Sequence, residues 1–407
     1  MNGNWQIEQS CPQCGAPVIL EETDRILTCP FCRTRLYLAN TGHFSCHIPA
    51  DPTRDGEVIY IPYWRLKGAV FSASLSGLSH RFVDANAVAV SLAGLQHSIG
   101  LRPQTLKLHF TTGDTPGKFI AADRPLEEAL PGTAEKAAAV FSRNFIGETV
   151  SRIYSPLILR KGRLYDGVLN RPHPPVKFDF VDALLSLAAP PEGGITFIPT
   201  LCPHCGWDMD GEKESAVMTC KNCHSAWAIR GQMFEQVPAV VVSPDQNEKT
   251  VYLPFWRMKA LIDKIKLSSR ADLIRTANLP RAITDELENA PLHFWSPAFK
   301  INPNLYLRLC RQMTVFAPAG EESGKLPVKN GCGVSLSLDE AREGIAVNLA
   351  GMIADRRKFY PLLSDLVVSL EEYRLEYHPF SSNGRELIHR TMGMAIDRTA
   401  LSFGIGL

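Results

Sequence analysis

The stretch that decides the fold is CPQCGAPVILEETDRILTCPFC, Cys11 to Cys32, because it returns as CPHCGWDMDGEKESAVMTCKNC, Cys202 to Cys223. Each stretch holds two CxxC pairs, Cys11/Cys14 with Cys29/Cys32 and Cys202/Cys205 with Cys220/Cys223, and fourteen residues lie between the pairs in both. A CxxC turn lets two thiolates converge on one metal. A second turn, brought back by a short hairpin, completes a tetrahedron. Four thiolates in a chain with no visible disulfide framework predict zinc, one ion per site and two in all. A four-thiolate iron site of the rubredoxin kind is the alternative metal reading. Every ligand position is a cysteine, so none stays open for water, and both sites read as structural rather than catalytic. Binding of this kind contributes on the order of 10–16 kcal/mol to a small fold.

The glycine after the second ligand, Gly15 and Gly206, permits the tight backbone there. The string CPxCG, Cys11–Gly15 and Cys202–Gly206, resembles the zinc-ribbon superfamily over about forty residues at each site. That resemblance implies a ribbon fold and a structural metal, and it leaves activity open.

The likeness between the two regions runs past the cysteines. YIPYWRLKG opens at Tyr60, 28 positions after Cys32, and YLPFWRMKA opens at Tyr252, 29 positions after Cys223. Further pairs follow in order: SIGLRPQTLKL from Ser98 with SPAFKINPNLYLRL from Ser296, and TGDTPGK from Thr112 with AGEESGK from Ala319. LEEA from Leu126 pairs with LDEA from Leu338, and ETVSRIYSP from Glu148 with EEYRLEYHP from Glu371. Both copies then run into a Gly-Arg pair, Gly162-Arg163 and Gly384-Arg385. The expected fold class is α+β by tandem duplication, each copy a four-cysteine zinc ribbon followed by a β-rich module with one or more helices. The expected domains are ribbon one at 1–45, module one at 46–185, a Pro/Gly-marked linker at 186–197, ribbon two at 198–235 and module two at 236–407.

Locally, Glu57 to Ser74 reads as one extended segment rich in Val, Ile, Tyr and Phe, with Pro62 arguing for an edge or a bulge. Ser337 and Glu340 form a capping box that opens a helix through about Arg357, with Thr133 to Arg143 as its shorter counterpart. A short apolar helix is expected near Asp182 to Ala189. On a strand, alternation places Tyr63, Arg65 and Lys67 on one face of the first YxPxWRxK segment, and Phe255, Arg257 and Lys259 on one face of the second. These six are the candidate binding surface, for a protein partner or, through stacking and phosphate contact, for nucleic acid. The competing reading makes Trp64 and Trp256 core anchors and pairs Arg65 and Arg257 with carboxylates.

Composition narrows the classes further. With 45% apolar and 21% charged residues and a net charge of +1, nothing demands nucleic acid, an acidic substrate or an anionic membrane. The N-terminus shows no secretory pattern, and the most apolar stretch, Val83 to Leu101, is interrupted by Asp84, Asn86 and His97. A cytoplasmic chain without a membrane span is expected. The GxxxGK segments at Gly113 and Gly320 have three residues between their glycines, followed by Phe119 and Leu326, so neither meets the Walker pattern. HExxH, GxSxG and GxGxxG do not occur, and no catalytic residue is assigned. Cys46 beside His43 and His47 reads as loop or core, and Cys310 and Cys332 as small hydrophobes. The leading reading is therefore a zinc-stabilised, non-enzymatic scaffold or protein-interaction protein.

Overall fold

The computed structural model describes residues 5–40, 42–53, 55–100, 106–129, 140–177, 179–244, 247, 249–327 and 330–402. The first ribbon is built from strands β1 (Gln6–Ser10), β2 (Pro17–Glu21), β3 (Ile26–Thr28) and β4 (Arg35–Asn40). A seven-stranded sheet follows. Its strands are β5 (Phe44–His47), β6 (Glu57–Ser74), β7 (Gly77–Val88), β8 (His109–Phe110), β9 (Lys118–Phe119), β10 (Val140–Arg160) and β11 (Arg163–Asp166), with helix α1 (Leu126–Ala129) between β9 and β10. Its main path runs β7-β6-β10-β5-β8, where β5 and β10 are parallel and the other neighbours antiparallel.

Helix α2 (Phe180–Ser186) leads to β12 (Ile195–Pro199). The stretch expected as a linker thus enters a sheet, because β12 pairs antiparallel with β4 of the first ribbon. The second ribbon is β13 (Met209–Asp210), β14 (Val217–Cys220), β15 (Ala226–Arg230) and β16 (Met233–Val237).

The second seven-stranded sheet begins with β17 (Ala239–Val242) and β18 (Thr250–Ile262). Helices α3 (Arg270–Ala277) and α4 (Asp285–Asn289), β19 (Phe294–Pro297), α5 (Pro303–Phe316), β20 (Glu322–Ser323), α6 (Leu338–Met352) and α7 (Arg356–Phe359) come next. The chain ends its described part with β21 (Val368–Ser382), β22 (Glu386–His389), β23 (Ala395–Asp397) and α8 (Thr399–Ser402). The main path is β19-β18-β21-β17-β20, again with one parallel pair, β17 with β21.

The two YxPxWRxK segments are the second strand of each sheet, β6 and β18. Glu57–Ser74 is one continuous strand, as its composition predicts. The expectation drawn from its proline needs correcting. β6 is flanked on both sides, by β7 and β10. Pro62 sits where one neighbour ends and another begins: its carbonyl accepts from Ala89 just past the end of β7, while the Tyr60 carbonyl accepts from Ile120 just past β9. The nitrogen of a strand residue faces the same edge as its carbonyl. The missing N–H therefore falls at the break between two short partners, not on an open edge. Pro254 repeats this, with Ala298 donating to its carbonyl and Cys332 to that of Tyr252.

The capping box of α6 is present, Ser337 accepting from the Glu340 N–H and Glu340 from that of Ser337, but the helix ends at Met352. Most of the counterpart expected at Thr133 to Arg143 lies outside the described residues, and 140–143 are strand. The pairing of Ser98 with Ser296 does not follow the register. Ser296 stands opposite Trp256 as Ala87 stands opposite Trp64. In the second sheet a 14-residue helix, α5, then follows, capped by Asn302 with Pro303 in its first turn.

The halves share a core. The far ends of β6 and β10, with Ala69, Phe71, Ala73 and Ile146, pack among Tyr306, Ile345 and Leu349 of the second half. The ribbons share another, in which Ile26 and Tyr37 of the first pack against Met209, Met218 and Trp227 of the second.

Candidate metal centres

The cysteines sit on four knuckles of one design. In each, the backbone N–H of the first cysteine is bonded five residues on, and its carbonyl accepts from the residue after the second cysteine. Gly15 donates to Cys11, Arg33 to Cys29, Gly206 to Cys202 and His224 to Cys220, at 2.8 to 3.0 Å. That donor always has positive φ: 74° at Gly15, 63° at Arg33, 72° at Gly206 and 56° at His224. Glycine takes this conformation freely, whereas Arg33 and His224 accept the strain of a side chain in the left-handed region. The first cysteine of every knuckle is buried, and its partner faces out or is half-buried.

This backbone brings each tetrad together. All four sulfurs of each set lie within 4.8 Å of one another. Cys11 to Cys32 is 3.7 Å and Cys14 to Cys29 3.6 Å, while Cys202 to Cys223 is 3.6 Å and Cys205 to Cys220 3.5 Å. A tetrahedron with metal–sulfur bonds of about 2.3 Å has edges of roughly 3.8 Å, so both sets fit a four-coordinate ion. Hydroxyls support the sulfurs from behind. Thr34 Oγ1 lies 3.3 Å from Cys32, and this hydroxyl, with the Thr34 backbone and the neighbouring cysteines, lowers the thiol to about 6. Ser225 Oγ lies 3.0 Å from Cys223 and 3.5 Å from Cys202, and is itself held by the Trp227 indole at 2.7 Å. Among the described residues these are the two groups of histidine, cysteine and carboxylate ligands gathered for a metal, and Cys46 with its neighbouring histidines is not one of them.

The six residues read as a binding surface lie elsewhere, and most are inside. Tyr63, Arg65, Lys67 and Phe255 are all buried, Arg65 and Phe255 completely. Alternation assigned them to one face, but β6 is covered on both faces, being buried without a break from Ile59 to Phe71. Arg65 donates from Nε and Nη2 to the two oxygens of Glu22 at 3.0 and 2.8 Å, bonds Asp84 through Nη1, and lies over the Trp5 ring at 4.0 Å. Arg257, half-buried, stands 3.6 Å from Glu376 and 5.7 Å from the Trp295 ring centre. Lys259 pairs with Glu371 at 3.0 Å. The six do not make an exposed cationic face. The competing reading describes the arginines better: each pairs with a carboxylate and an indole.

Residue types alone did not single out these partners. Glu22 follows the first ribbon's hairpin, so the Arg65 fork fastens that ribbon to its sheet. In the second half Glu376 is the hub. Trp295 Nε1 donates to its Oε2 at 2.8 Å, Arg374 reaches Oε1 at 2.8 and 2.6 Å, and His378 Nε2 lies 3.0 Å from Oε2. Burial opposes the charge on Glu376, yet these partners prevail and hold it at about 2. His389 Nε2 lies 3.4 Å from His378 Nδ1, and its Nδ1 accepts from the Thr391 and Met392 N–H groups. The only visible hint was the alternation of Glu376 and His378 on one strand.

Trp64 and Trp256 are core residues with a shared polar task. Their indoles donate to the carbonyls of Arg124 and Leu336, at 2.7 and 2.9 Å, each two residues ahead of α1 or α6. No helix among the described residues is long and apolar enough to cross a membrane. Comparison with family models, with curated proteins and with solved structures returns no match.

Proposed function

We propose that this protein is a two-zinc scaffold of the cytoplasm, built by tandem duplication, whose metals are structural and whose modules serve a protein partner. The observation that carries the reading is the closed, all-cysteine ligand set of both tetrads. With four thiolates per site, the ion would keep no position for substrate or water. Its contribution is to fix the knuckles, and through them β4, β12 and β15. Eleven cysteines without a disulfide agree with a reducing compartment.

Duplication draws support from the register. Pro156 faces Tyr60 as Pro379 faces Tyr252, and the main path of each sheet has one parallel pair at the same place in its order. The two indole-to-carbonyl bonds before α1 and α6 agree with it as well. The candidate units remain those of the sequence, two ribbons at 1–45 and 198–235 and two modules at 46–185 and 236–407.

Metal analysis of protein from metal-replete cells tests the first part. Two zinc ions per chain and a colourless protein are expected, and a red, iron-loaded protein would overturn it in favour of electron transfer. An affinity pull-down with nuclease treatment tests the second part. A stoichiometric protein partner that survives nuclease is expected, and a complex that dissolves with nuclease would return the nucleic-acid reading.

A further inference from the structure

The loops that follow β11 and β22 have one backbone design. Asp166 N–H donates to the Arg171 carbonyl and Asn170 to that of Asp166, at 2.8 and 2.9 Å; His389 donates to Met394 and Gly393 to His389, also at 2.8 and 2.9 Å. The side chain at the head of each loop does the same job. Asp166 Oδ1 accepts from the N–H groups of Val168 and Leu169 at 2.9 and 2.8 Å, and His389 Nδ1 from those of Thr391 and Met392, both at 3.3 Å. Register extends the match. Asp166 stands opposite Leu157 as His389 stands opposite Phe380, and Ser155 opposite Ile61 as His378 opposite Leu253.

The space between these residues is used differently. In the second sheet it is full. The His378 and His389 rings lie 5.4 Å apart, Phe255 meets the first edge-on at 5.6 Å, and Phe380 meets the second at 5.0 Å. In the first sheet a serine and an aspartate stand where the imidazoles are, and a leucine where a phenyl ring is. There a cavity of about 200 Å³ opens, with Ile61, Tyr63, Ser155, Leu157 and Asp166 in its wall. The same strands and the same loop therefore enclose, in one half, aromatic rings that the other half lacks.

We infer that this cavity binds a small planar nitrogen heterocycle of imidazole type, bearing at least one ring N–H. Ile61, Tyr63 and Leu157 offer walls for the faces of a ring. Asp166 places a carboxylate at the strand position of His389, whose ring in the other half extends further and meets the next imidazole through Nε2 at 3.4 Å. A carboxylate accepts from a ring N–H, and the Ser155 hydroxyl adds a second polar partner, while Arg171 in the same wall offsets the Asp166 charge. The inference rests on register and cavity and does not require a common origin of the halves.

A ligand-observed NMR titration of the metal-loaded full chain with imidazole, and with furan as a ring of equal size lacking N–H, provides the test. Imidazole is expected to bind saturably in the millimolar range, and furan about tenfold more weakly or less. Ser155→His combined with Asp166→His installs the second sheet's residues and is expected to abolish binding. Leu157→Phe narrows the same cavity without touching the loop's hydrogen bonds. It is expected to weaken binding about tenfold, and it carries the test if the double variant does not fold. No saturable binding of imidazole, equal binding of furan, or binding unchanged in Leu157→Phe would each overturn the inference.

Discussion

Arg65 keeps its charge away from water because three groups replace the water: the Glu22 carboxylate at two oxygens, Asp84, and the face of Trp5. Its planar fork suits the paired oxygens of Glu22, which a lysine would not match. Arg65→Met strands a buried Glu22, so a loss of about 3–5 kcal/mol in urea unfolding is expected. Adding Glu22→Gln should restore part of it, and a double variant no better than the single would refute the pairing as the cause. Arg257→Met is expected to cost less, about 1–2 kcal/mol, because Arg257 is a quarter exposed and Glu376 keeps Arg374, His378 and Trp295. At His389, burial and the neighbouring His378 push the imidazole from 6.5 down to about 3. A depressed folded value means that the unfolded chain takes up the proton first. The stability is present above pH 6.5 and is lost as pH falls toward 3. Between pH 6.5 and 5 the loss is on the order of 1–2 kcal/mol. His389→Asn keeps an acceptor for the loop N–H groups and removes the proton site. The slope of stability against pH should flatten by that amount relative to wild type, and thiolate protonation, common to both proteins, cancels in the difference.

At the scale of elements, the YxPxWRxK strand carries three separate tasks on successive residues. Proline marks the change of neighbour, tryptophan holds the segment before a helix, and arginine holds a carboxylate. Trp256→Phe removes the donor to the Leu336 carbonyl while leaving a buried ring, so a cost of about 1–3 kcal/mol is expected. Chemical denaturation with far-ultraviolet circular dichroism would measure it, and a change under half a kilocalorie would show the bond to be dispensable. Much of this level was legible. The eighteen residues of β6 read as extended because β-branched and aromatic residues dominate them, and Ser337 with Glu340 announced α6. The knuckles were legible from cysteine spacing alone. The place of β6 within its sheet was not. Pro62 looks like an edge residue to any local reading, and only the ends of β7 and β9, chain-distant segments, explain it. Arg65 misled for a related reason. Alternation sorts residues into two faces, but it marks neither as solvent when both are covered, and Glu22 lies 43 residues away with no periodic signal to link it.

For the whole molecule, the joint between the ribbons matters more than either ribbon alone. Arg25 and Ile26 of the first donate to the Lys213 carbonyl of the second, Arg35 donates to the carbonyls of Met209 and Gly211, and Thr23 bonds Glu214. β12 joins the first ribbon's strand β4 immediately before the second ribbon begins. The buried cysteines Cys202 and Cys220 belong to the same small core as Ile26 and Tyr37. Metal binding is folding free energy, of about 10–16 kcal/mol per structural site, so each ion should stabilise the frame that holds the other. Cys29→Ser is therefore expected to do two things. It should lower zinc content at the first site, and it should hasten zinc release from the untouched second site under a chelator. The reciprocal variant, Cys220→Ser, should likewise hasten release from the first site; the two zinc affinities, read by equilibrium competition with a chelator, should fall by the same factor, since an equilibrium coupling between two sites is symmetric. Release followed with a colorimetric zinc indicator, beside zinc content by mass spectrometry, measures both. Independent release, with the intact site losing metal at the wild-type rate in each variant, would mean that the ribbons merely touch. Coupled release would make the pair of ribbons one clamp, whose closure requires both metals and whose arms are the two sheets.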